Sequence, residues 1–417
     1  MRSRADAVTR DEADPLRGFR DTFLAAADGP IYLDGNSLGR VPRATVERLR
    51  AAVEEEWGKG LVRSWSRWVD LPAAIGDRIG AAIVGAAPGQ VVVADSTTVN
   101  LYKAAAAALA ANRGRVVLSD AGNFPTDRYV LEGLCRDDNR ELRFITSDPV
   151  EGVQAGEVEA ATAAGDVALV LLSHVDYRSA AIADLAGITE VAHEAGALVL
   201  WDLSHSAGAV PVDLDGSGAD LAVGCTYKYL NGGPGAPAFV YVRAERQGEL
   251  RQPVWGWFGQ RDQFAMGAAY DPVSGIGSWL SGTPAVLGLV AVATGVEGVA
   301  EAGVARLRDK SLALTELIVA LSDEWLAPLG VQVASPRDPV RRGGHVAVTH
   351  PEAWRVCQAL IDRYDFIPDF RPPDVIRLGP APLYTGFADV WDALDRLRVA
   401  LESEAWAAYP VAPGRVT

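Results

Sequence analysis

Lysine is scarce in this chain: Lys59, Lys103, Lys228 and Lys310 stand against 35 arginines. Lys228 lies in CTYKYLNGGPG (225–235), at the end of an apolar run and directly before a cluster of glycines. An amine withdrawn from water there is a nucleophile that can condense with an aldehyde. The neighbouring apolar runs also end in residues with chemistry to offer. These are Ser96, Thr97 and Thr98; Ser119 and Asp120; Ser173 and His174; Asp202 and His205; Thr226 and Tyr227. An aspartate can hold a protonated ring nitrogen, and hydroxyls opening a helix can join free backbone N–H groups in taking a phosphate.

These residues need a scaffold that gathers run ends at one edge. From about residue 90 to 240, short β-rich runs alternate with amphipathic or alanine-rich segments. VVVADSTTVNLYKAAAAALAAN predicts a strand, a polar turn and a helix. RVVLSD, VALVLLSH, ALVLWD and LAVGCTYK are continuous apolar runs of the length of buried strands. DLAGITEVAHEAG, between two of them, has helical spacing and Gly196 as its C-cap, which makes a βαβ unit. A mostly parallel sheet with helices on both faces follows. After LAVGCTYK, NGGPGAP turns the chain and APAFVYV returns as an antiparallel neighbour, because so short a connection excludes a parallel crossover. The expected sheet is therefore mixed. Ligands of such sheets bind beyond the carboxyl ends of the strands, where the residues above collect.

Taken singly, each has a plain structural explanation: a snorkelling lysine, an N-capping aspartate, a capping STT turn, a core histidine. Taken together, Lys228 as amine, Asp202 as partner of a ring nitrogen and Thr97 with Thr98 at a helix start suit pyridoxal phosphate.

Downstream, Pro284 to Trp325 reads as a long helical stretch. GVQVASP, GGHVAVTH and FIPDFRPPDVIRLGP read as strands, and EAWRVCQALIDRY and FADVWDALDRLRVALESEAW as helices. This predicts a smaller α+β domain. The expected division is an arm (1–42) carrying IYLDGNSLGR, a large α/β domain (43–290) and a C-terminal domain (291–417). With 417 residues, 49% hydrophobic and 22% charged, the composition is that of a globular protein. A net charge of −15 argues against a nucleic-acid surface. Cys135, Cys225 and Cys357 lack metal or disulfide spacing, and no metal is expected. The N-terminus has no apolar signal region, and TPAVLGLVAVATGVEGVA is too short and interrupted to span a bilayer. A cytoplasmic protein is expected.

WDLSHSAGAVPVDL followed by ADLAVGCTYKYLNGGPGAPAFVYV resembles the kynureninases, pyridoxal-phosphate enzymes of fold type I. IYLDGNSLGR, WGKGLVRSW, NFPTDRYV, WGWFGQ and VIRLGPAPLYTGFADVW resemble further blocks of that family, in the family's order, over about residues 30 to 400. The resemblance implies that Lys228 carries the cofactor, that Tyr227 contacts the phosphate and assists proton transfer, and that Asp202 pairs with the pyridine nitrogen. It further implies His205 beside the ring, Phe124 stacked on it and Asp127 near the pyridine, with Thr97, Thr98, Ser173 and Trp257 as further cofactor contacts. Arg377 would hold the substrate α-carboxylate, and Ser37, Trp65 and Phe258 would lie toward its aromatic end. The implied assembly is a homodimer with sites at the interface, where Thr283 reaches the neighbouring chain's phosphate.

Two positions depart from the family pattern: Thr283 stands where some members carry asparagine, and Gln260 where histidine is common. Both bear on the aryl preference. The implied reaction is hydrolytic cleavage of the Cβ–Cγ bond of L-kynurenine, or of a ring-substituted kynurenine such as 3-hydroxykynurenine, to anthranilate or its derivative and L-alanine. The other activities weighed are an aminotransferase, a biosynthetic relative acting on a modified aryl substrate, a cofactor-binding protein without catalysis, and a cysteine desulfurase. The last would need a nucleophilic cysteine on a mobile loop, whereas Cys357 reads as helical and Cys225 as part of a strand.

Overall fold

The long apolar runs pair with one another. In the computed structural model, which describes residues 3–24, 29–412 and 414, seven strands form one sheet. They are β1 (Val91–Val93), β2 (Val116–Asp120), β3 (Glu141–Ile145), β4 (Val167–Ser173), β5 (Leu198–Asp202), β6 (Leu221–Gly224) and β7 (Phe239–Val242), in the order β1-β7-β6-β5-β4-β2-β3. Residues along β4 show why both faces need cover: Val170 and Leu172 join one hydrophobic core, Leu169 and Leu171 the other. Helices α1 (Thr97–Ala111), α2 (Pro125–Asp137) and α3 (Leu185–Glu194) alternate with the strands. All neighbours are parallel except β7, which is antiparallel to both β6 and β1. The mixed sheet is the one the sequence predicts.

One boundary differs. The run LAVGCTYK leaves the sheet at Gly224, so Lys228 stands in the turn beyond the strand rather than at its end. Side chains take over from the ladder at that point. Ser204 Oγ accepts from the N–H of Cys225, and Thr226 Oγ1 donates to the carbonyl of Pro237, which has no N–H to pair.

The helical stretch expected over 284–325 is broken by Gly303 (φ 79°) into α4 (Val286–Ala302) and α5 (Val304–Leu321), bent by 79°. Leu289, Val292, Val296 and Val299 of α4 join the core of the large sheet. Leu314, Leu317, Ile318 and Leu321 of α5 belong to a second core. That core lies under an antiparallel sheet of β8 (Gln332–Val333), β9 (Val346–Thr349), β10 (Asp369–Arg371) and β11 (Val375–Leu378), in the order β10-β11-β9-β8. Helices α6 (Ala353–Tyr364) and α7 (Phe387–Glu402) complete it. No single helix among the described residues is long and apolar enough to cross a membrane.

The N-terminal segment binds both parts. The Asp11 carboxylate accepts from the N–H groups of Phe387 and Ala388 and so caps α7 from a distant part of the chain. Ile31–Tyr32 pairs in parallel with Phe366–Ile367, and Gly39 N–H donates to the carbonyl of Tyr227 at 2.8 Å. A Cβ at Gly39 would overlap the carbonyl oxygen of Lys228, so only glycine lets the arm lie on the lysine turn.

Candidate active site

Beyond the carboxyl ends of the large sheet lies a cavity of about 490 Å³. Thr97 and Thr98 form one wall. They open α1, whose N-cap Ser96 accepts from the N–H of Val99, leaving other N-terminal N–H groups free for an anion. The turn before them is fixed from behind. Asp95, in the left-handed region, forms an ion pair at 2.9 Å with the fully buried Lys103, which also donates to the carbonyl of Trp279.

The opposite wall carries acids. Asp202 ends β5, and its Oδ1 accepts from the N–H of Ser204 at 2.7 Å. Asp127, in the first turn of α2, is buried against it with Oδ2 unpartnered within the chain. Burial, and then the neighbouring Asp202 charge, push the Asp127 carboxyl well above the usual range. The unpartnered Asp127 carboxyl beside Asp202 fits a group that brings positive charge and an N–H, such as a protonated pyridine nitrogen. Together with the free N–H groups of α1, this pair makes the cavity suitable for pyridoxal phosphate.

Lys228 Nζ reaches into the cavity and lies 2.9 Å from His205 Nε2. Burial, and then the Lys228 charge, hold the His205 imidazole well below its usual range, so the ring is neutral. The Tyr227 hydroxyl is pushed above its ordinary value by burial and stays protonated. Ser173 Oγ donates to Asn123 Oδ1 at 2.7 Å, and Phe124 meets the Tyr177 ring edge-on at 5.2 Å. Thr283 is exposed at the rim.

The remaining expected residues lie outside the cavity lining. Phe258 is turned into the core with Trp279 and Leu280, because that face of the sheet needs covering. Trp65 packs on Phe258 with ring centres 6.1 Å apart, and Trp257 leans on Phe258 and Phe264. Arg377, on β11, is enclosed. It pairs with Asp369 at 2.5 Å and donates to the carbonyl of Tyr177 at 2.6 Å and to Ser37 Oγ at 2.8 Å. Ser37, expected toward the aromatic end, accepts from this arginine. Sequence reasoning passed over Tyr177, Asn123, His345, Asp369 and Arg371. The last two had a readable signal, since DFR places an acid and a base two apart, on one face of a strand.

Cys225 is buried just beyond β6 and Cys357 is buried within α6. Burial raises both thiols, so neither is the exposed thiolate that sulfur transfer requires.

Comparison with known proteins follows the same line. Residues 307–397 match the family model described as kynureninase C-terminal domain. The chain is 45% identical to the kynureninase of Burkholderia pseudomallei, covering 98% of each chain. It is also 45% identical to that of Pseudomonas fluorescens, covering 98% of this chain and 97% of the relative. Among solved structures, the apo cysteine desulfurase of Thermococcus onnurineus superposes with a TM-score of 0.78 at 18% identity, over 93% of this chain and 98% of the other. A C-DES variant with glycine linked covalently to its PLP cofactor gives 0.79 at 18%, over 91% and 98%. At that identity the two structures establish a shared fold, the one the sequence predicts. Near-complete coverage at 45% identity establishes more: this chain belongs to the kynureninase family.

Proposed function

We propose that the protein hydrolyses the Cβ–Cγ bond of L-kynurenine, or of a ring-substituted kynurenine, to an anthranilate and L-alanine with pyridoxal phosphate as cofactor. The observation that carries this reading is one cavity holding the Lys228 amine, the Asp127–Asp202 carboxylate pair and the N-terminus of α1. When bound, the cofactor supplies an aldehyde for the amines and a ring that accepts electrons from the substrate's α-carbon.

The chain's own groups do the rest. The helix start at Thr97 and Thr98 would take the phosphate, and Asp202, backed by Asp127, would keep a proton on the pyridine nitrogen. Phe124 and His205 would lie beside the ring, and Ser173, held by Asn123, would add a further contact. Lys228 would take the substrate α-proton as general base and return it to Cα before alanine leaves. Water adds to the γ-carbonyl, and the bond from that carbon to Cβ breaks. Tyr227, held protonated, hands a proton to Cβ. Arg377 fixes the α-carboxylate, which supplies orientation as prepaid entropy. Trp65 and Phe258, packed on each other, would bear on the aryl end, and Trp257, which leans on Phe258, on the cofactor.

We read the protein as a cytoplasmic homodimer acting in tryptophan catabolism, with Thr283 at the seam between subunits. A biosynthetic role on a modified aryl substrate is the second reading, favoured by Thr283 and Gln260. Steady-state kinetics of the cofactor-loaded protein on kynurenine, 3-hydroxykynurenine and other ring-substituted kynurenines decide between them. Equimolar alanine and anthranilate are expected; a keto acid instead would make the enzyme an aminotransferase. Lys228→Ala should lower turnover by roughly a thousandfold or more and abolish the absorbance of covalently held cofactor. Retained activity in that variant would refute the assignment.

A further inference from the structure

The geometry points to a clamp of two guanidinium groups for the substrate carboxylate. In it Arg371 joins Arg377, Asp369 organises both, and Ser37 Oγ occupies the place of a carboxylate oxygen. The inference rests on the reading of Arg377 as the carboxylate's partner and extends it to a residue that the sequence did not single out.

The strands dictate the arrangement. β10 and β11 are antiparallel neighbours in which Asp369 stands directly opposite Arg377. Arg371 follows Asp369 at the strand period, so all three charged side chains share one face. The Asp369 carboxylate is enclosed and lies 2.5 Å from Arg377 Nε and Nη2 and 3.1 Å from Arg371 Nε. One carboxylate thus serves two cations. The other nearby acid, Asp34, has its carboxyl raised to about 7 by burial and by the Asp369 charge, and balances only part of the excess near neutral pH. His205 and His345, with ring centres 5.7 Å apart, are both held neutral by burial. A net positive charge that is largely withdrawn from water is costly unless an anion joins it.

The free positions on the two forks converge on a single oxygen. Ser37 Oγ accepts from Arg377 Nη2 at 2.8 Å and lies 3.4 Å from Arg371 Nη2. A neutral hydroxyl is the weaker acceptor for two guanidiniums, and a carboxylate gains charge-assisted bonds to both. The arginines differ in reach. The Arg377 side chain is 1% exposed, with Nη1 committed to the Tyr177 carbonyl, whereas that of Arg371 is 35% exposed. Arg371 is therefore the first of the two to meet an incoming anion. Its charge is already felt at Tyr227 and His205, both of which line the cavity.

The test uses the cofactor-loaded enzyme, L-kynurenine as substrate, and L-alanine and L-alaninamide as competitors that differ only in the carboxylate. Arg371→Met should raise KM for kynurenine and the inhibition constant of alanine by about tenfold, with kcat within about threefold and alaninamide inhibition unchanged. Arg371→Lys, which keeps the charge but loses the fork, should fall between. If Arg371→Met leaves alanine inhibition within twofold while Arg377→Met weakens it, the clamp is wrong and Arg377 acts alone. If both variants leave it unchanged, the carboxylate is held elsewhere and the underlying reading of Arg377 fails as well. Equal weakening of alanine and alaninamide by Arg371→Met would mean a general distortion and would also overturn the clamp.

Discussion

Asp34 shows how far a single carboxyl can be displaced by its surroundings. It lies on the arm, and burial and then the Asp369 charge raise it to about 7, against opposition from Ser37, Arg377 and Arg371. Unfolded, it titrates near the ordinary carboxylate value of 3.8. Between about pH 4 and 7 the folded chain holds a proton that the unfolded chain has released. The stability this proton contributes is fully present below pH 4 and is lost as the pH rises through 7. Asp34→Asn should therefore gain stability over the parent between pH 5 and 8, by up to about 3 kcal/mol, read from denaturant midpoints. A gap that stays constant over that range would show that Asp34 titrates normally. Residues at this scale were legible where their type was unusual for its setting, as with Lys228 and Asp202. Arg371 was legible only through its spacing from Asp369 in DFR, because one arginine among 35 does not stand out by type.

The decisive element is the turn at 225–235, which is held from two sides. The arm lays Gly39 on it, and α4 brings Gly295 against the carbonyl of Leu230 where a side chain would collide. Gly39→Ala must push the arm off the turn and displace Lys228. A fall in kcat/KM of about ten- to a hundredfold is expected, with the melting temperature lowered by only a few degrees. Activity equal to the parent would mean that the arm does not position the turn. The central strands were readable because parallel strands buried on both sides are continuous apolar runs. The end of β6 was not, because the run stays apolar through Cys225 while the ladder is stopped by Pro237 and Ser204, which lie elsewhere in sequence. The break at Gly303 was missed for a related reason: apolar spacing continues across it, and only packing on two separate cores requires the bend.

At the scale of the whole molecule, several large apolar side chains between residues 255 and 266 stay exposed. Trp255, Phe264 and Met266 are 63%, 62% and 72% exposed, an arrangement that suits a second copy of the chain. Sedimentation of the parent should give a dimer. Phe264→Asp combined with Met266→Asp should shift it toward monomer and lower activity about tenfold or more, since large apolar side chains dominate such contacts. A parent that sediments as a monomer at micromolar concentration would remove the homodimer from the proposal.

The antiparallel strand β7 has a further consequence. It is the only described neighbour of β1, although nearly 150 positions separate them along the chain. While the polypeptide is being translated, the Val91–Val93 ribbon must wait, apolar and unzipped, until its partner leaves the ribosome tunnel. Nascent chains stalled within that interval should therefore be the ones that recruit chaperones most strongly.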